Sequence, residues 1–470
     1  MYDLYGRIIS SLSNCLYGYV LIILLVAAGI FFSVKTKFVQ FRYLAESFRI
    51  VMEPSDDDNS ISSFKALMVS TASRVGTGNI AGISSAICIG GLGAVFWMWV
   101  TALLGSATAF VEGTLSQIYK QKGEDGSSYG GPSYYIEAVL KKRWLGMVFA
   151  VFLILTYMVG FNLVASFNIA DSFKVYGFYN PSVTPWIIGI VLAAVFLLCI
   201  SGGGKQIANI TGALVPFMGV LYIGMTVVIV VTHITMIPSV IVGIVKSAFD
   251  MKAILGGFTG SVIMLGIKRG LFSNEAGVGA AACAAGSAGV SHPVKQGLVQ
   301  VLSVFIDTIV ICTATALLLL CSGVEPTAEM AGMAYVQAAM SNTMGTFGVI
   351  FITIALILFA FTTLLGNYFF TETGMSYLFG KTPSKGVQYA QRAVATLVVC
   401  IGATMELGIV WDTADVLMGL MALINVPVIF LLRKPVMQCL DHYIKQKKEG
   451  KKPVFKASDI DLKEKTDFWN

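Results

Sequence analysis

Charge is what this sequence most lacks. Only 12% of its 470 residues are Asp, Glu, Lys or Arg, while 56% are hydrophobic. Soluble domains carry about 25% charged residues, so this chain has too little polar surface to face water. Histidine is nearly absent: His233, His292 and His442 are the full set. All three fall outside the apolar blocks, and no Cys-x-x-Cys occurs. That excludes a zinc site of familiar spacing. The eight cysteines are scattered, with Cys88, Cys199, Cys283, Cys312 and Cys400 inside apolar blocks as small packing residues. No Ser/His/Asp set, paired catalytic carboxylates or metal-ligand cluster is visible at a common depth, so no enzyme is expected. The net charge of +6 does not imply nucleic acid. It comes from loops and from Lys445, Lys447, Lys448, Lys451 and Lys452, which suit an anionic lipid surface. A basic n-region and a small-residue cleavage site are also missing at the N-terminus, so its apolar block reads as a retained span.

What is abundant is apolar length. Blocks of about 18 to 28 residues recur, enough to cross the ~30 Å hydrocarbon core as helices. Lipid offers backbone groups no partners, so such spans must be helical. The block lengths and flanking breakers predict eleven spans: 15–34, 64–90, 94–119, 145–172, 184–201, 207–231, 255–283, 296–320, 346–377, 388–405 and 408–432. Segments 38–52 and 238–249 are shorter and read as interfacial. The distribution of Lys and Arg predicts the N-terminus outside and the C-terminus in the cytoplasm of an inner (plasma) membrane. On that reading Lys35, Lys37, Arg42, Arg49, Lys141, Lys142, Arg143, Lys205, Lys268, Arg269, Lys295 and the basic tail lie in cytoplasmic segments.

Setting the first span aside leaves ten, which divide into five plus five. An odd number per half forces opposite orientation, the inverted-repeat architecture of many secondary transporters. The expected organisation is an N-terminal span and amphipathic segment (1–63), a first repeat (64–231), a second repeat (232–432) and a basic tail (433–470). The corresponding first helices, 64–90 and 255–283, both carry glycine clusters: Gly76, Gly78 and Gly82 in one, Gly256, Gly257 and Gly260 in the other. Paired interruptions at matching positions point to a midplane binding site, although glycine also serves ordinary helix packing in membranes.

The stretch Ser70-Thr71-Ala72-Ser73-Arg74-Val75-Gly76-Thr77-Gly78-Asn79 is the most informative. Glycines on either side of Thr77 let a helix unwind. Freed N–H groups at the start of the continuing half-helix can hold a carboxylate, and the carbonyls left behind can hold a hard cation. This segment, with Gly90-Gly91-Leu92-Gly93, Gly130-Gly131-Pro132-Ser133-Tyr134-Tyr135, Arg269-Gly270-Leu271-Phe272-Ser273-Asn274-Glu275-Ala276-Gly277, His292-Pro293-Val294-Lys295-Gln296-Gly297, Phe305-Ile306-Asp307-Thr308 and Ala360-Phe361-Thr362-Thr363, resembles the alanine/glycine:cation symporter family. The matches run in order along nearly the whole chain. The resemblance implies an all-α polytopic fold like that of the neurotransmitter:sodium symporters. It also implies sodium-coupled symport of a small neutral amino acid, alanine or glycine, with Na+ as coupling ion, no organic cofactor and no obligate protein partner.

The same resemblance assigns roles. The amides of Thr77 and Gly78 would take the substrate carboxylate, with Gly76 and Gly78 as the hinge. The carbonyls of Ala72 and Val75 would join the hydroxyls of Thr362 and Thr363 around sodium. Carbonyls near Gly260 and Ser261 would meet the substrate ammonium, with Met264 by its side chain. Arg74 is expected to pair structurally with an acid, Asp307 or Glu275, because ionised groups inside a membrane need partners; Glu112 and Glu372 lie in spans too. Two positions depart from the family pattern: Ala165 stands where a glutamine is usual, and Asn367 where a tryptophan is. Both changes enlarge the expected pocket. The alternatives to alanine or glycine are therefore a larger polar substrate such as glutamine or serine. Coupling to protons, through Glu112 or Asp307, and a channel are the other readings.

Overall fold

The computed structural model describes residues 2–54, 60–123, 127–250, 261–380, 382–462 and 464–469. Among these, seven helices are long and apolar enough to cross a membrane, and three shorter apolar helices accompany them. The helices used below are α1 (Leu4–Lys35), α2 (Ser63–Arg74), α3 (Gly78–Gly90), α4 (Gly93–Ile118), α5 (Arg143–Asp171), α6 (Thr184–Ile200) and α7 (Gly203–Thr232). They continue as α8 (Val262–Asn274), α9 (Ala281–Gly286), α10 (Pro293–Leu320), α11 (Met333–Phe379), α12 (Lys385–Gly402), α13 (Leu407–Leu431) and α14 (Arg433–Lys448). The chain therefore folds into an all-helical membrane bundle, with a two-strand hairpin, Gln121–Lys122 against Ser128–Tyr129, as a minor addition.

The outer surface of the bundle is apolar, unlike that of a soluble protein. Large apolar side chains such as Ile190, Leu198 and Val220 point outward on α6 and α7, where lipid replaces water as the solvent. Polar and charged side chains collect within. α4 is the central post, packed by α1, α8 and α10. Small residues let backbones approach there: a Cβ on Gly297 of α10 would sit 2.2 Å from Thr114 Oγ1 of α4.

The segments expected to be interfacial are short helices here, Leu44–Val51 and Ile237–Ala248. The first is held to α14 by Lys447 and Tyr443, which bond Glu46 at 2.7 and 3.1 Å. The expected span 346–377 lies within α11, whose backbone leaves helical geometry at Gly345 (φ 61°, ψ −148°). One expectation is corrected. Lys268 and Arg269 do not lie in a surface loop: both are buried in α8, paired with acids of α13. The charge count that placed them outside the bundle missed carboxylates far away in sequence.

Candidate functional site

The first interruption follows from three residues. α2 begins with Ser62 accepting from the Lys65 amide and stops where Val75 turns to φ −78°, ψ 89°. The next amide, Gly76 N–H, bonds to Asn79 Oδ1 at 2.8 Å and not to the Ala72 carbonyl four residues back. The Ala72 carbonyl thus loses its helical donor. Thr77 and Gly78 open the next helical turn, a π-turn over Gly78–Gly82, and the first amides of a helix have no acceptor within it. Gly76 is obligatory on contact grounds, because a Cβ there would lie 2.0 Å from Thr363 Oγ1. Thr362 and Thr363 each donate their proton to the Phe359 carbonyl, at 2.9 and 3.0 Å. Their lone pairs remain free for a cation.

The second interruption is Glu275–Ala280, between α8 and α9. Glu275 is left-handed (φ 52°), and Gly277 and Gly279 take φ of 94° and 92°, a region where glycine carries no steric cost. Asn425 Nδ2 supports the Gly277 carbonyl at 3.0 Å. The same amide group is held between Glu112 and the Tyr135 hydroxyl, so buried Glu112 stands behind this break. This interruption is additional to the one expected at the earlier glycine cluster. Gly256, Gly257 and Gly260 lie outside the described residues. Ser261 caps the far end of α8, whose Leu265 packs on Gly90. At 1.5 Å rise per residue, Ser261 is about 18 Å and Met264 about 14 Å from Ser273 along the helix.

The two breaks meet. Asn79 Nδ2 reaches Ser273 Oγ at 3.3 Å and Asp307 Oδ1 at 2.7 Å. Asp307 also accepts from Ser273 and Thr308, at 2.7 and 2.6 Å, where α10 widens into a π-turn. The Ser73 hydroxyl lies 3.2 Å from Glu275 Oε1 and 2.9 Å from Asn367 Oδ1, and Asn367 donates to Asn162 Oδ1 at 3.0 Å. All four of these side chains are buried. The expected pairing of Arg74 with Asp307 is not formed: among the described residues Arg74 donates to Gln300 Oε1 at 3.2 Å and makes no ion pair. Asp307 is already taken by neutral donors. Ala165 lies buried one turn beyond Asn162 on α5.

Hydrogen-bonding capacity is left over around this junction. Arg74 Nε and Nη2, Asn162 Nδ2, Asn274 Nδ2 and Glu275 Oε2 are buried and have no partner. Orphaned buried donors and acceptors are costly and call for an explanation; a bound ligand carrying both kinds of group supplies one. One end of the junction is closed by aromatic rings. Phe272 lies against Gly78 and between Phe161 and Trp411, each at 4.6 Å between centroids. Arg269 then stacks over Trp411 at 4.3 Å and pairs with Asp415 at 3.1 Å, where Lys268 joins at 2.9 Å.

A helical bundle with two interrupted helices whose breaks face each other is a transporter's geometry, and comparison with known proteins decides which. The sodium:alanine symporter family model matches residues 2–457. The chain belongs to the sodium:alanine symporter family. The symporter is 43% identical to the probable sodium/glutamine symporter GlnT of Bacillus subtilis, over 97% of this chain and 94% of that protein. It is 42% identical to the amino-acid carrier protein AlsT of the same organism, covering 100% and 98%. It is also 37% identical to the sodium/alanine symporter AgcS of Methanococcus maripaludis, covering 90% and 94%. In fold it resembles MhsT, solved in complex with L-phenylalanine, with a TM-score of 0.57 over 82% of this chain and 92% of that one, at 14% identity. The symporter is thus a multi-pass membrane transporter of amino acids with that fold, and not an enzyme.

Several residues at the junction receive no role from the sequence: Ser73, Phe272 and Ser273, which stand within its motifs, and Asn162 and Trp411, which do not. One signal was available for the second break. Gly277-Val278-Gly279 repeats the Gly-x-Gly pattern of Gly76-Thr77-Gly78, and it lies nearer the polar run than the glycine cluster does.

Proposed function

We propose that the protein couples sodium entry to uptake of a neutral amino acid with a polar side chain, glutamine foremost, with alanine a poorer substrate. The observation that supports the polar reading is the buried set Ser73, Asn162, Glu275 and Asn367 beside the first break. A site shaped for a methyl group alone has no use for four hydrogen-bonding side chains. A carboxamide, which both donates and accepts, matches the spare Asn162 amide and Glu275 oxygen. The amides of Thr77 and Gly78 would hold the carboxylate. The Ala72 and Val75 carbonyls with Thr362 and Thr363 would hold sodium, an all-oxygen set that suits a hard cation. The name of the GlnT relative agrees with this substrate, and the name of AgcS with alanine. The N-terminus would lie outside a plasma membrane and α14 in the cytoplasm, following the basic residues.

Alternating access then follows from differential affinity: sodium and substrate stabilise the state in which the two breaks close around them. The test is uptake of labelled glutamine into vesicles at fixed pH, with sodium or choline outside and unlabelled amino acids as competitors. Sodium-dependent uptake, competed by serine and threonine as well as alanine, is expected. Competition by alanine and glycine only would discard the polar reading, and uptake that survives in choline but follows a pH gradient would make the proton the coupling ion.

A further inference from the structure

A cavity lies between the central junction and the end of the bundle that carries α14. It encloses about 430 Å³, within the range of about 300–1,000 Å³ typical of small-molecule sites. Its position relative to the breaks is informative. One wall is Ile61, just ahead of α2, and another is Ser287, just after α9. These two flanks are joined: the Ile61 amide donates to Ser287 O at 3.3 Å and the Gly289 amide to Ile61 O at 3.0 Å. The flanks of the two interrupted helices are thus joined in the wall of the cavity. α11 runs through both compartments, bearing Thr362, Thr363 and Asn367 in one and Phe369, Glu372 and Thr373 in the other.

Two opposite charges face this space without satisfying each other. Glu372 lies against the turn that starts α7; Cβ atoms on Gly203 and Gly204 would approach its carboxylate to 3.7 and 3.4 Å. Arg392 of α12 lines the same cavity, and its Nε is buried with no partner. Their fields reach each other, yet no ion pair within 4 Å forms between them among the described residues. Lys205 adds a second positive charge to the wall. A bare cation is opposed there by Arg392 and Lys205, and a simple anion by Glu372. A zwitterion meets both signs at once, its ammonium at Glu372 and its carboxylate at Arg392, in the charge-assisted bonds that are strongest where water is scarce.

We propose that this cavity is a second, weaker site for the transported amino acid, occupied after it leaves the junction and before release at the α14 end. The proposal rests on the amino-acid symport reading above. It is tested with Glu372→Gln and Arg392→Gln, and with Arg392→Lys as the variant that keeps the charge. Vesicles are sorted by protease access to the Lys445–Lys452 segment, so that each face can be assayed by itself. Half-saturation by glutamine is measured from each face, together with sodium activation from the opposite face. The charge-removing variants should raise half-saturation from the α14 face by about tenfold, the loss of one charge-assisted contact. They should leave half-saturation from the other face and the sodium dependence as in wild type, and Arg392→Lys should recover most of the loss. Unchanged half-saturation from the α14 face in both charge-removing variants overturns the proposal alone. Equal shifts from both faces also overturn it, since they report a general defect in folding or gating. A wild-type protein that carries no amino acid would remove the parent reading, and this site with it.

Discussion

At the residue scale the site is a matter of small side chains that admit large neighbours. Gly78 faces the Phe272 ring, and even a Cβ there would come to 2.9 Å from it. Gly78→Leu should leave protein in the membrane but abolish sodium-dependent binding, measured by thermal stabilisation with substrate; normal stabilisation would show that the glycine serves packing only. Thr362 and Thr363 can be tested together as Val and Val, which keeps volume and removes both oxygens. Half-maximal activation should then need at least about tenfold more sodium, equivalent to ~1.4 kcal/mol, and an unmoved sodium curve would remove this ion site. Asn367→Leu strips the partner of both Ser73 and Asn162. Polar substrates should lose at least about tenfold in kcat/KM relative to alanine, the penalty for missing hydrogen bonds being larger than for a missing methylene. Parallel losses for all substrates would make Asn367 structural. Thr77 and Gly78, and separately Thr362 and Thr363, could be proposed from the sequence because each pair is adjacent within a single motif. Asn162 and Ser73 could not, because their meaning comes from Asn367, which meets both.

At the scale of elements, the interruption of α8 and α9 is the feature most dependent on tertiary support. Glycine runs predict where a helix can break, but both Gly256-Gly257 with Gly260 and Gly277-Val278-Gly279 lie between residues 255 and 283. The interruption among the described residues is one whose freed carbonyl at Gly277 is met by Asn425, 148 residues away. Gly279→Ala places a Cβ 2.5 Å from Pro132 at φ 92°, which should cost at least ~1 kcal/mol in the backbone alone. The expected result is weakened transport with loss of thermal stability. Wild-type stability would mean that the second break tolerates an ordinary backbone.

For the whole molecule, the C-terminal segment is a strap across the α14 end. Trp469 donates to the Gln117 carbonyl at 2.7 Å, its ring meets Phe455 edge-on, and the Phe455 amide bonds Ser291 O at 3.0 Å. Next to this strap His292 stacks on His442 at 5.5 Å between centroids, with Tyr443, Lys295 and Asp459 nearby. Burial, then the His442 and Lys295 charges, push the His292 pKa down to about 3. In the unfolded chain this imidazole titrates near ~6.5, so the unfolded state binds the extra proton first. Its contribution to stability is complete above about pH 6.5 and is lost progressively as the pH falls towards 3. Protease access to the tail should therefore rise on acidification, and His292→Asn, which can still cap α10, should flatten that dependence. An identical pH profile in the variant would place the sensitivity elsewhere.

The sequence by itself determined the solvent, the helical class and the place of the first helix interruption. Lipid forbids any backbone without internal partners, and the glycines beside Thr77 let the helix open where it does. What only tertiary structure decided was which polar groups meet. Arg74 turned to Gln300 and left Asp307 to Asn79, Ser273 and Thr308. Lys268 and Arg269 turned inward to Asp415. In a low-dielectric bundle an unpaired polar group costs several times what it costs in water. Partners are therefore chosen by three-dimensional proximity, which spacing along a chain does not encode.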